Sequence, residues 1–252
     1  MQLTGRNFSV KINCATRAAL LDAVRARFAQ KAGFALATIN LDHVTKLERD
    51  ADFRQAYAAH DLVVADGNPI VWVARLARRR LELVPGSELV EPLTALAAET
   101  GTPVALIGSS DEALAGAALA LQRHAPGIDI VMKHAPAFGF NPEGEAAQAI
   151  LADIDACGAG LVFLALGAPK QERFAALGRR LAPQAGFASV GAGLDFLSGH
   201  QTRAPKWVQA IAMEWLWRML GNPRRLVKRY TLCALAIPGL AWRALGQRFR
   251  SV

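Results

Sequence analysis

The chain has 252 residues, 52% of them hydrophobic, enough to bury a sizeable core in one large domain or two small halves. Its three cysteines, Cys14, Cys157 and Cys233, sit singly in apolar sequence, which argues against a disulfide framework or a thiolate metal site and fits a reducing cytosol. The formal charge of +8 is lopsided: from Arg203 onward ten Lys or Arg face the single acid Glu214, while residues 1–202 are close to neutral, and such a basic tail seeks phosphate in nucleic acid or at a membrane surface.

Met1–Cys14 has no uninterrupted apolar stretch, so no secretory leader is expected and the protein should stay inside the cell. A first strand reads over Phe8–Asn13, then an amphipathic helix over Thr16–Gln30, a strand over Phe34–Asn40, a helix over Thr45–His60 and a strand over Asp61–Asp66. Strands over Pro103–Gly108, Ile128–His134, Leu161–Gly167 and Phe187–Gly191 follow, alternating with helices over Asp111–His124, Glu143–Cys157 and Lys170–Leu181. This alternation predicts an α/β fold with a Rossmann-like, mostly parallel sheet and helices on both faces, because parallel strands need crossovers.

In open sheets of this kind, ligands bind beyond the carboxyl ends of the strands. There the chain places Thr38 and Asn40, Asp66 and Gly67, Gly108 and Ser109, His134, Gly167 and Gly191. Asp66-Gly67-Asn68-Pro69 reads equally as a tight turn and as the seat of a general base. In Gly167-Ala-Pro-Lys-Gln-Glu172, Pro169 suits a first helical turn, and the free amides there with Lys170 form a receptor for phosphate oxygens. A plain capped helix explains the lysine but leaves Gln171 without a role. Neither Ile107–Asp111 nor Gly191–Phe196 completes a dinucleotide fingerprint, and no Walker lysine motif occurs. The Asp50-Ala-Asp52 and Asp153-Ile-Asp155 triplets fall in helical patterns, and the five histidines lack zincin spacing. No metal and no cofactor is expected.

The last fifty residues differ in kind. Trp207, Ile211, Trp215 and Arg218 recur at helical spacing, and Arg218, Arg224, Arg225, Lys228 and Arg229 cluster around Asn222-Pro223. A further apolar run, Leu232–Trp242, is broken by Pro238-Gly239 and is shorter than the ~20 residues that a spanning helix needs. Tryptophans interleaved with arginines suit a helix lying in a bilayer interface, with the rival that the tail packs on its own domain or on a second copy. Nucleic acid is the weaker partner, since no binding module is present.

In their order these segments resemble the WecG/TagA/CpsF family of bacterial glycosyltransferases. The matching stretches are 37–40 with Asp42-His43, Leu62–Pro69, Pro85–Leu89, Leu106–Gly108, Phe138–Phe140, Gly167–Glu172, Gly191–Gly199, Arg203–Trp207, Glu214–Arg218 and Asn222–Tyr230. The resemblance implies a metal-independent, inverting hexosyltransferase that moves a sugar, of N-acetylmannosamine type or a plain hexose, from a UDP-sugar to a polyprenyl-diphosphate-linked saccharide. The setting implied is the inner face of the cytoplasmic membrane, in exopolysaccharide, teichoic acid or capsule synthesis. Carried over by motif, Asp66 would be the general base, and Thr38 and Asn40 would line its pocket. Gln171 would hold the donor near its sugar or diphosphate, and Asp195 would contact the nucleoside. Gly108, Phe138, Gly167, Pro169, Lys170, Glu172, Gly191 and Arg203 would complete the substrate site, and Arg218, Arg224 and Arg229 would meet the lipid diphosphate. Where members carry an arginine two residues before Pro85, this chain has Leu83.

The expected organisation is therefore an α/β core over 1–202 and a basic, helical, membrane-associating appendage over 203–252. A non-catalytic nucleotide-binding scaffold and a Rossmann oxidoreductase are the alternatives. Oligomeric state, a homo-oligomer included, stays open.

Overall fold

Side chains that can accept a hydrogen bond cap the chain at four helix starts. Thr16, Asn40, Asp50 and Ser110 each accept from the amide three residues on, satisfying one of the N–H groups that a helix leaves unpaired. The computed structural model describes residues 1–202, 204–205, 207–208, 213–221 and 223–250, with the backbone alone at Arg218, Arg225, Phe249 and Arg250. Strands β1 (Gln2–Thr4) and β2 (Ser9–Lys11) form a separate antiparallel pair. The main sheet has six strands: β3 (Phe34–Ile39), β4 (Leu62–Ala65), β5 (Val104–Gly108), β6 (Ile130–His134), β7 (Leu161–Ala165) and β8 (Gly186–Ser189), in the order β4-β3-β8-β7-β5-β6. Every pairing in it is parallel.

Parallel strands require crossovers, and helices supply them on both faces. Along β3, Phe34 and Leu36 face a core shared with α1 (Arg17–Ala29), α5 (Val90–Thr100) and α6 (Asp111–His124). Ala37 and Ile39 face the other way, onto α2 (Leu41–Arg49), α3 (Ala51–Ala58) and α4 (Asn68–Leu76). On that second face α7 (Glu145–Ala156) and α8 (Lys170–Leu181) cover β5, β7 and β8. With both faces covered, β3 and β4 are buried at every position, which is why they read as continuous apolar runs. A short helix α9 (Gly193–Leu197) follows β8, and α10 (Glu214–Gly221) and α11 (Pro223–Arg250) end the chain.

Three expectations need correction. The strand placed at Phe8–Asn13 pairs with the N-terminal residues, since its flanks leave it three residues long and half exposed. The helix placed over Thr45–His60 is two helices, because Asp50 leaves helical geometry (φ −114°, ψ 110°) and caps α3. The apolar run through Pro238-Gly239 is not broken: α11 passes through Pro238, which lies exposed beside an exposed Ala234, where the chain has room for the ring. One stripe of α11, Cys233, Leu240 and Ala244, is buried against the core, and the opposite stripe exposes Val227, Leu235 and Trp242. Among the described residues no helix is long and apolar enough to cross a membrane.

At the carboxyl end of β5, Gly108 adopts φ +115°, and a Cβ there would lie 2.6 Å from the Ala165 backbone. Gly101, which ends α5 at φ +64°, has open space around it. Gly101→Ala should therefore cost only the left-handed backbone penalty of about 1–2 kcal/mol. Gly108→Ala should cost clearly more in urea denaturation, since strand β7 must move.

Candidate functional site

All six strands of the main sheet point the same way, so their following loops gather at one edge. Pairing Thr38 with Val64 and Ile39 with Ala65 carries the register on to Asn40 beside Asp66, whose amide donates to the Ile39 carbonyl at 2.8 Å. Asp66 is half-buried: it is neither sealed in the core nor remote from the edge. Thr38 is buried, and its hydroxyl lies against Gly86 of a short 3-10 turn, Gly86–Glu88, where a Cβ would come within 3.0 Å of Oγ1. Gly67, at φ +100°, lets the chain turn from Asp66 directly into α4, whose first turn holds Pro69. Asn40 does not project freely; its side chain caps α2 by accepting from the His43 amide at 3.1 Å.

Across the edge, Ser109 donates to Asp195 Oδ1, and Gln201 Nε2 donates to Asp195 Oδ2 at 2.8 Å. Both oxygens of Asp195 are thus engaged, tying the β5 loop to α9. Gly191 and Gly108 stand at the ends of β8 and β5 as expected, and Phe138 is fully exposed on the loop after β6. Gly167 is exposed at φ +71°, and Pro169 and Lys170 are half-buried. The amides expected to be free there are partly used: Gln171 N–H donates to Gly167 O and Arg173 N–H to Pro169 O, each at 3.1 Å. Arg173 itself bonds the Asp50 carboxylate, which accounts for the first Asp-x-Asp triplet as a helix cap and ion pair.

Sequence inspection missed the interior behind this edge. Gln171 and Glu172, in the first turn of α8, are both buried, and Gln171 Nε2 donates to Glu172 Oε1 at 2.8 Å. His43 Nε2 lies 3.7 Å from the same oxygen, and His43 Nδ1 is 3.1 Å from the Tyr57 hydroxyl. Tyr57 in turn packs edge-on to Phe53 and stacks on His60. Burial governs the titration of these groups. It pushes the Glu172 carboxyl up to about 7, lowers His43 to about 3 and His60 to about 4, and raises the Tyr57 phenol well above its usual range. The sequence marks Gln171, Glu172 and the Asp42-His43 pair by resemblance, but carries no sign that they meet or that Tyr57 joins them.

The basic residues assigned to a lipid diphosphate divide. Arg203 lies outside the described residues, as does the Arg218 side chain. Arg224 is exposed in the first turn of α11. Arg229 forms an ion pair with Asp42, Nε to Oδ1 at 3.1 Å, and the other oxygen of Asp42 holds Lys46. Leu83 packs into the apolar core that also contains Leu240 and Ala244 of α11, so an apolar residue suits its position.

A strand-edge acid in register with an amide, a glycine-flanked helix start and a basic C-terminal helix run the length of one chain, and the family model for the WecG/TagA/CpsF glycosyl transferases matches residues 6–252. The chain belongs to that family. It is a glycosyltransferase of cell-surface polysaccharide synthesis, which sets aside the oxidoreductase alternative.

The buried acid and histidines predict opposite pH effects. The unfolded chain protonates both histidines below about 6.5 while the folded chain keeps them neutral, so stability falls with pH in that range. Glu172 ionises at about 4.5 unfolded but about 7 folded, so its contribution is lost as pH rises between those values. Glu172→Gln removes only the second effect. Urea denaturation from pH 5 to 6.5 should show the variant gaining on the wild type by roughly 1 kcal/mol per pH unit as pH rises.

Proposed function

We propose that this glycosyltransferase moves a sugar from a UDP-sugar to a polyprenyl-diphosphate-linked saccharide by one inverting displacement, with Asp66 as general base. The observation that carries this is the half-buried Asp66 at the carboxyl edge of the sheet, in register beside Asn40 and two residues beyond the Thr38–Val64 pair. The acceptor hydroxyl oxygen bonds the anomeric carbon from the face opposite the diphosphate. As that bond forms, the carbon–oxygen bond to the diphosphate breaks, the electron pair leaves with UDP, and the hydroxyl proton passes to Asp66.

Charge that develops on the departing diphosphate needs preorganised cations. Lys170 stands at the start of α8, and Lys46 and Arg229 are held together by Asp42 one turn beyond Asn40. In this chain those cations do the work for which other members use the arginine replaced by Leu83. Arg224 and Arg218 serve the lipid-linked diphosphate. Phe138, exposed at the β6 loop, and Asp195, beside the β8 loop, face the donor side of the edge.

The exposed stripe of α11, with Leu235 72% and Trp242 79% exposed, lies beside the basic turn of Arg224 and Lys228 and suits the interface of an anionic bilayer. The acceptor's polyprenyl chain lies in that same bilayer.

Asp66→Asn should lower turnover by about 10²–10⁴-fold while UDP affinity, read by calorimetry, stays within a small factor; a variant that transfers normally would remove Asp66 as base. The doubly substituted Leu235→Ser, Trp242→Ser chain should float poorly with phosphatidylglycerol vesicles on a density gradient yet fold normally. Equal flotation of the two proteins would place the membrane contact elsewhere.

A further inference from the structure

Glu172 carries the least expected environment in the molecule. It is fully buried, one of its oxygens accepts from Gln171, and the other has no hydrogen-bond partner among the described residues. Gln171 is 3% exposed, and having given its N–H to Glu172 it keeps a buried, unpartnered Oε1. Buried polar atoms in native proteins are almost always paired, so an orphan acceptor beside a ligand-binding loop marks the place of an incoming donor group.

Local geometry explains why the acid turns inward. Glu172 is the third residue of α8, where a glutamate normally reaches back to the N–H of the capping residue. Here the capping residue is Pro169, which has no N–H. The carboxylate therefore cannot close a capping box, and it meets Gln171 and His43 instead. His43 is itself steadied by Tyr57. Helices α2, α3 and α8 thus converge on one carboxyl group. A glutamine amide can present either end to a ligand, and only a fixed partner decides which.

We propose that Glu172 is a positioning residue that sets the polarity of the Gln171 amide, so that the site offers a hydrogen-bond acceptor to an O–H or N–H of the nucleotide-sugar donor. This rests on the donor assigned above. Whether ionised or protonated, the carboxyl keeps an oxygen for the Gln171 N–H, so the role survives titration of the acid. Glu172 is fully buried, so little solvent competes for that oxygen.

The test compares Glu172→Leu, which fills the space but accepts nothing, with Glu172→Gln, which keeps an acceptor oxygen. Affinity for UDP-N-acetylmannosamine and for UDP-glucose would be measured by calorimetry on the full chain, and KM and kcat with whichever sugar is transferred. Glu172→Leu should weaken donor affinity and raise donor KM about tenfold, the effect of one ordinary hydrogen bond, with kcat and acceptor KM little changed. Glu172→Gln should restore donor affinity to within about threefold. Should Glu172→Leu not fold, Gln171→Met must show the same tenfold loss. Unchanged donor affinity in Glu172→Leu or Gln171→Met overturns the proposal, as does a Glu172→Gln chain as weak as Glu172→Leu. If Asp66→Asn transfers normally while the leucine–glutamine contrast persists, the base assignment fails and the positioning role stands. A wild-type chain that binds neither nucleotide sugar ends both.

Discussion

Six strands held parallel by hydrogen bonding leave the chain no freedom about where its loops go. Each strand must be followed by a crossover, and each crossover begins at the same edge. Register then places individual side chains: Asn40 beside Asp66, the Thr38 hydroxyl against Gly86, and the β5 and β7 ends so close that only glycine fits at position 108. Residues far apart in sequence, such as Ser109 and Asp195, meet because their strands end together. A shift of one strand by one residue would turn that strand's groups to the other face.

Against that rigid edge the interior holds an unusual set of polar groups. A carboxyl, a carboxamide, an imidazole and a phenol are buried together, linked to one another and flanked by aromatic rings. Burial costs an ionisable group its solvation, and the histidines respond by staying neutral and the acid by holding its proton to higher pH. Cores built only for stability avoid such clusters. Their retention next to the Gly167–Lys170 loop fits a demand for fixed polarity at the site.

The C-terminal helix joins the two halves of the proposed chemistry. Its inner stripe packs on α2, α4 and β1, and Arg229 reaches Asp42 in the first turn of α2. Its outer stripe stays apolar and open. The tail therefore packs on its own domain and still presents tryptophan and leucine outward. A helix docked in this way brings Arg229 to the first turn of α2, beside the strand edge.

Fold class and the position of the active edge were legible because strand period, helix period and turn residues are local properties. β3, β4, β5, β7 and β8 could be read as apolar runs, since they are buried on both faces of the sheet, and Asp66, Gly108 and Gly167 could be placed at strand ends by counting. The break at Asp50 and the unbroken passage through Pro238 escaped notice, because capping and solvent exposure decide them and propensity does not. What Glu172, His43, Tyr57 and Asp42 touch could not be read at all. By itself the sequence determined which residues stand at the ends of the strands. Only the tertiary structure decided which of them share a proton, a cation or an amide, because those contacts cross from one helix to another and leave no periodic trace along the chain.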